Sequence, residues 1–138
     1  MEFKIEMEWK YLGLVSSVDD DLVFPSAIKK PAVYRILAGA ESYVGETSNL
    51  SRRLSNFRRP GGHKDTKVPR TNRRVNRWLL SHLATGNPQP EISYLDAATL
   101  HIGVKSERLD LSTTHQRLLL ENLVIQHELR DGHVLQNL

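Results

Sequence analysis

Ten basic residues crowd positions 52–77: Arg52, Arg53, Arg58, Arg59, Lys64, Lys67, Arg70, Arg73, Arg74 and Arg77, against a single acid, Asp65. That stretch carries +9, so with a net charge of +3 the rest of the chain holds −6. A solvated face ordinarily mixes both signs, whereas a stretch this one-sided repels itself and attracts polyanions. The chemistry it suggests is contact with the phosphates of a nucleic acid. The absence of cysteine removes thiol nucleophiles, cysteine zinc sites and disulfide scaffolds. Six histidines (His63, His82, His101, His115, His127 and His133) are scattered with no pair one helical turn apart, so a histidine-bound zinc site is not expected.

The elements that must position such residues can be read from periodicity. A chain of 138 residues, 39% hydrophobic, fits one compact domain with one core. The first ten residues lack the basic start and apolar block of a signal peptide, and no apolar run approaches the roughly 18 residues of a membrane span. No membrane association is expected, and the cytoplasm is the expected location. Residues 2–11 alternate strictly between bulky and charged side chains, the pattern of one half-buried strand with Phe3, Ile5, Met7, Trp9 and Tyr11 inward. Three aspartates and then Pro25 and Pro31 interrupt the pattern, so residues 1–31 are expected to form an extension packed on a core of residues 32–138.

Residues 33–37 and 43–44 are short β-prone runs, with Gly39 between them to supply a positive backbone angle, and should pair as a hairpin. Thr47 and Ser48 are the expected caps of a helix whose apolar stripe is Leu50, Leu54 and Phe57, ending near Pro60. After a polar loop, Thr71 is expected to cap a second helix with Val75, Trp78, Leu79 and Leu83 inward and Arg70, Arg73, Arg74 and Arg77 outward. Residues 91–95 read as a third core strand, and residues 97–111 fit no single period. A long helix capped by Ser112 or Thr113 should run to about Arg130, with Gly132 ending it and residues 133–135 adding a short strand.

The order Ala32-Val33-Tyr34, then Tyr43-Val44-Gly45, then Thr47, Asn49-Leu50 and Arg53 resembles the signature of the GIY-YIG nuclease family, with Arg53 eight residues after Gly45 as that pattern requires. The resemblance spans about residues 32–137 and implies an α/β (α+β) fold in which a small three-stranded central sheet is flanked by helices, here with the N-terminal strand extension. It further implies a DNA endonuclease using Mg²⁺ (or Mn²⁺) held by one glutamate. Glu121-Asn122-Leu123-Val124-Ile125 resembles the segment that carries that glutamate, and Leu118, Val124 and Ile125, three or four positions away, bring Glu121 out of an apolar stripe.

Phosphodiester hydrolysis needs an attacking water, stabilisation of charge on the phosphate and help for the leaving oxygen; a carboxylate-held Mg²⁺ and a nearby guanidinium provide the second and third. Glu121 and Arg53 match those roles. By the resemblance, Tyr34 acts as or helps position the general base and Tyr43 orients water or phosphate. An ordinary phenol titrates near 10, so Tyr34 needs positive charge beside it to act as a base near neutrality. Gly45 is expected to let backbone approach the phosphate, and Asn137 is a candidate for the amide that closes the site.

Two positions depart from the family pattern. Ala32 stands where glycine is frequent, and Phe57 stands where many members carry a histidine, for which His63 is a candidate replacement. The expected DNA-binding residues are Arg52, Arg58, Arg59, Arg70, Arg73, Arg74 and Arg77. A homodimer is one way for such a chain to cut both strands of a duplex. The alternative function is a non-catalytic nucleic-acid-binding module on the same fold, which needs the arginines but has no use for a carboxylate amid phosphates.

Overall fold

The computed structural model describes residues 3–60, 70–86 and 88–137, a mixed α+β fold with three helices and three sheets among those residues. His63, Lys64 and Lys67, with the polar loop expected around them, lie outside the described residues. In chain order the first half contains β1 (Phe3–Met7), β2 (Lys10–Leu14), β3 (Ser16–Val18), β4 (Asp21–Val23), β5 (Ala32–Ala38), β6 (Glu41–Thr47) and α1 (Leu50–Arg58). The second half contains α2 (Arg70–Ala84), β7 (Glu91–Leu95), β8 (Ala98–Ile102), β9 (Lys105–Arg108), α3 (Thr114–Arg130) and β10 (Val134–Leu135).

The central sheet has five strands in the order β10-β6-β5-β7-β2, two more than expected, with β10 parallel to β6 and the remaining pairs antiparallel. Its middle is the β5–β6 hairpin, closed by Gly39 and Ala40 with Gly39 at φ 63°, a two-residue turn that follows the right-handed twist of the strands. Alternation along β5 divides the molecule into two cores. Ala32, Tyr34 and Ile36 face α1 and α2, where Leu50, Leu54, Phe57, Val75 and Leu79 cover them. Val33, with Val44 and Leu95 from the neighbouring strands, faces α3 and packs against Leu120 and Val124.

The N-terminal alternation is one run in sequence but two strands in space. β1 pairs with β8 in a small sheet completed by β9, whereas β2 leaves that sheet and joins the edge of the central one beside β7. Ile5, Met7 and Trp9 therefore pack on the α3 side, while Leu12 packs on the opposite core and Tyr11 is exposed. Positions 1–31 also supply a hairpin, β3–β4, turned through Asp19 and Asp20 at φ 51° and 63°, which short polar side chains tolerate. Val15 and Leu22 from this region are fully buried. The stretch without a clear period, residues 97–111, forms the β8–β9 hairpin.

Two helix starts differ from expectation. Asn49, in extended backbone, caps α1 by accepting from the Arg52 backbone N–H, while Thr47 braces Asn49 from outside the helix. α2 already includes Thr71 at its second position. α1 and α2 are also tied end to flank, because the Asn76 amide donates to the Phe57 carbonyl at 2.7 Å and satisfies an orphan of the last turn of α1.

α3 docks through a stripe of Arg117, Leu120, Val124 and Glu128, apolar in the middle and charged at both ends. Arg117 Nε donates to Glu46 Oε2 of β6 at 2.7 Å, and Arg35 Nη1 of β5 donates to Glu128 Oε1 at 2.7 Å. Glu128, only 1% exposed, also accepts from His133 Nδ1 at 2.5 Å, and Trp9 lies 4.5 Å from the Arg35 guanidinium. Burial opposes ionisation of Glu128, but the hydrogen bonds and charges of Arg35 and His133 outweigh it and hold the carboxyl below its ordinary value of 4.5. A depressed folded value means that this stabilisation is present above the ordinary value and is lost as pH falls through the folded one. Glu128→Gln is expected to cost about 1–3 kcal/mol at pH 7, the range for charged hydrogen bonds. Urea titrations from pH 7 to pH 3 check it; parent and variant should converge toward the acid end, and parallel pH dependences would contradict the role given to this ion pair.

Candidate active site

Tyr34 and Tyr43 reach one spot from adjacent strands because both point to the α1–α2 side of the sheet. Tyr34 pairs across the ladder with Gly45, and Ile36 with Tyr43. Together with Phe57 of α1 they form an aromatic triad with centroids 6.0–6.2 Å apart. Phe57, fully buried, thus braces the two phenols from the position where the family pattern often has a histidine. Gly45 is required by the packing of Tyr34 against it. A Cβ there would fall within 2.9 Å of Tyr34 Cε1 and still closer to the Tyr34 hydroxyl, so the phenol occupies the space a side chain would take.

The second strand edge brings in the carboxylate. Beyond its short pairing with β10, β6 has no strand on its outer side among the described residues. The outward-facing backbone groups of alternate residues find three different partners in succession. Ser42 O accepts from the Gln136 backbone at 2.8 Å. Val44 is met by the Asn137 side chain, which accepts from Val44 N at 3.0 Å and donates to Val44 O at 2.5 Å as a strand backbone would. The Glu46 backbone hydrogen bonds the Glu121 carboxylate. Glu121 therefore comes round the edge of the sheet from α3, beside the buried stripe; Ile125 shares its half-buried flank, while Leu118 is exposed.

Arg53, half-buried on α1, is the common charge of this region, since its field acts on Tyr34, Tyr43 and Glu121 alike. The other influences push upward. Burial, first, and the neighbouring Tyr43 raise the Tyr34 phenol well above its ordinary 10.0, and a hydrogen bond between the two hydroxyls keeps the proton on Tyr34. Burial raises Tyr43 too, although the same hydrogen bond and the charges of Arg53 and Arg74 favour its ionised form. Tyr34, at 1% exposure, is buried beside Tyr43 and holds its proton more tightly than an ordinary phenol. Burial and the charge of Glu46 raise Glu121 above its ordinary value, against the Glu46 backbone hydrogen bond and Arg53.

No protein-family model, curated protein or solved structure matches the chain.

Tyr34, Tyr43, Arg53 and Glu121 are thus brought together, and Asn137 closes the strand edge beside them. Arg52, Arg58, Arg59, Arg70, Arg73, Arg74 and Arg77 are all exposed. Arg74 is close enough to act on Tyr43, so the basic face of α2 adjoins the tyrosines instead of standing apart from them. His63 lies outside the described residues. Sequence reasoning missed Glu46 and Arg117, whose pairing joins a strand to a helix 71 positions away; the available signal was the alternation that turns Glu46 to the face opposite Tyr43 and Gly45.

Among the described residues no group of three or more acidic or histidine side chains forms a metal cage. The donors still fit a hydrated hard cation. Mg²⁺ keeps several waters and needs only one or two carboxylates, and the ionised form of Glu121 is disfavoured by burial and a second carboxylate, a deficit that positive charge relieves. The packing around residue 45 gives a direct test. Gly45→Ala should cost about 1–3 kcal/mol through overpacking against Tyr34. Urea denaturation midpoints measure this, and a parent-like midpoint would contradict the packing of the phenol over residue 45.

Proposed function

We propose that this chain is a metal-dependent endonuclease that hydrolyses DNA phosphodiester bonds, built on the GIY-YIG plan that its motif resembles. One observation carries the reading: residues from position 34 to position 121, on two strands and two helices, meet at one sheet edge with Arg53 as their shared charge. The consecutive strands β6-β5-β7 supply a candidate for the three-stranded sheet of that family, with β2 and β10 as additions at its two edges.

Catalysis on this reading divides among four side chains. Arg53 stabilises negative charge gathering on the phosphate oxygens, a contribution that grows where surrounding water is partly excluded. Tyr43, the more accessible phenol, orients the attacking water, and Tyr34 fixes its hydroxyl from behind through their mutual hydrogen bond. Glu121 holds the cation; when bound, Mg²⁺ or Mn²⁺ would act as a Lewis acid on phosphate and leaving oxygen. In the net reaction water adds to phosphorus, the P–O bond to one sugar oxygen breaks, and that oxygen leaves with a proton. Asn137 and Gly45 keep β6 in the geometry these roles need.

A plasmid-nicking assay with and without Mg²⁺ tests the reading, with Glu121→Gln as its key variant. The variant should lose nicking while DNA affinity stays within a few-fold, because shape is kept and only the cation-holding charge is removed. The same substitution has a second readout. A raised folded value means that ionised Glu121 opposes folding above the ordinary carboxylate range, so at pH 7 the melting temperature of Glu121→Gln should equal or exceed that of the parent. Added Mg²⁺ should raise the parent's value alone. Nicking that survives the substitution would sink the metal assignment, and binding without any nicking by the parent would return the chain to a non-catalytic binding module.

The exposed arginines of α2 are proposed to contact DNA phosphates. Each neutralised phosphate releases counterions and steepens the loss of affinity with salt. Replacing Arg70 and Arg77 by alanine should therefore flatten the slope of log affinity against log salt by about two units. Fluorescence anisotropy across salt concentrations measures this, and a slope like the parent's would show that this face points away from DNA.

A further inference from the structure

Next to the proposed centre lies a polar groove of about 410 Å³ between the starts of α1 and α3. Arg53 and Glu46 belong to both, so the groove begins where the site ends. From there it runs along Arg52 and Asn56, one turn apart on α1, to Thr114 and Arg117 of α3, with Thr47 and Ser48 between. None of the lining side chains is aromatic or apolar. That composition fits the charged backbone of a nucleic acid and offers no surface for stacking a base.

The charges are unevenly committed. Arg52, Arg53 and Arg117 oppose one acid, Glu46, which leaves +2 in the groove. Arg117 is spent on Glu46 and on the carbonyls of Leu111 and Ser112. Neither Arg52 nor Arg53 forms an ion pair with a carboxylate among the described residues; Arg52 rests instead on the Ser48 hydroxyl at 3.1 Å, a neutral partner that an anion can displace or share. The backbone N–H groups that open α1 are already used: Leu50 donates to Lys30 O, Ser51 to Ile28 O and Arg52 to Asn49. Anion binding here therefore falls to side chains, with Arg52 as the principal donor.

Resting on the nuclease reading for its substrate, we infer that this groove seats the phosphate next to the scissile one on the same strand, held by Arg52 with Asn56 and the flanking hydroxyls. Because Arg53 lines the groove and its field also acts on Glu121, a strand with its scissile phosphate at Arg53 would run its next phosphate into the groove. Arg52 is then a positioning residue. It sets where the strand lies and does not touch the reacting atoms.

Two measurements decide this, the first independent of the nuclease reading and the second made on the cleavage reaction itself. In the first, inorganic pyrophosphate competes with a fluorescein-labelled 20-nucleotide single strand for the full-length protein, read by anisotropy. Arg52→Ala should raise the inhibition constant of pyrophosphate on the order of 10-fold, the effect of losing one charged hydrogen bond. Asn56→Ala should raise it by a smaller factor, and Lys105→Ala, on the exposed strand β9 and outside the groove, should leave it unchanged. In the second, a single neutral methylphosphonate is placed at the linkage beside the cut. The parent's KM should rise about 10-fold with kcat nearly unchanged, and Arg52→Ala should show no further loss with the neutral linkage. Equal pyrophosphate inhibition of parent and Arg52→Ala, or an Arg52→Ala variant that responds to the neutral linkage as the parent does, would overturn the assignment. If the parent cuts no DNA while pyrophosphate still depends on Arg52, the nuclease reading fails and the groove stands as an anion site.

Discussion

A strand edge that is only partly covered must still satisfy its backbone, and in this molecule that obligation falls on the outer side of β6. Unpaired N–H and C=O groups there would cost free energy if buried and would invite another chain if exposed. β10 covers the first part, the Asn137 amide stands in for a strand at Val44, and Glu121 takes the hydrogen bond offered at Glu46. Two of the three partners are side chains, so the edge is closed to a further strand yet stays narrow enough for groups from both faces of the sheet to meet across it. That is how Tyr43 and Arg53, on the α1–α2 side, come to feel the charge of a carboxylate carried by the helix on the other side.

The position of Glu121 along this edge depends on how α3 is fixed, and its fixing is electrostatic at both ends. An apolar stripe alone permits a helix to slide or roll on a sheet, because apolar contacts have no direction. Arg117 on Glu46 and Glu128 on Arg35 set both translation and rotation, and the two strands that supply the partners are neighbours in the hairpin that carries the tyrosines. Strand and helix components of the site thus share one frame. His133, bonded to Glu128 just before β10, extends that frame to the segment ending at Asn137.

Local patterns were the legible part of the sequence. The β5–β6 hairpin, the Leu50, Leu54, Phe57 stripe of α1 and the extent of α3 follow from periods of two and 3.6 residues with their glycine punctuation, and the motif residues fall within these elements. What stayed illegible is non-local. Nothing in residues 2–11 marks the point near Trp9 where the chain changes sheets, since the alternation runs on while its meaning reverses. The burial of Arg117 and Glu128 contradicts their residue types until their partners, 71 and 93 positions away, are known. The Asn49 cap was outranked by Thr47 and Ser48 because several polar residues in a row leave the first helical turn ambiguous by a residue or two. Gly45 was marked by the motif, but its reason, the Tyr34 ring lying across it, is a contact between strands.

Glu121 and Glu128 stand seven residues apart on one helix, and their environments push them in opposite directions. Glu128 is more deeply buried, yet its hydrogen-bonded partners Arg35 and His133 lower it, and that carboxylate belongs to the fold. Glu121 is raised, with a second carboxylate nearby and a single arginine shared among it and two phenols. A structural carboxylate gains nothing from such surroundings, whereas one that receives a cation or a proton during work does. Burial holds the protons of Tyr34 and Tyr43 more tightly than in ordinary phenols, and the charge of Arg53, joined at Tyr43 by Arg74, does not offset it. Ion pairs therefore anchor the two ends of α3, and the carboxylate held against ionisation lies at its middle, where the helix meets the open part of β6. Positive charge placed there would relieve the opposition that burial and Glu46 set against the ionised form of Glu121.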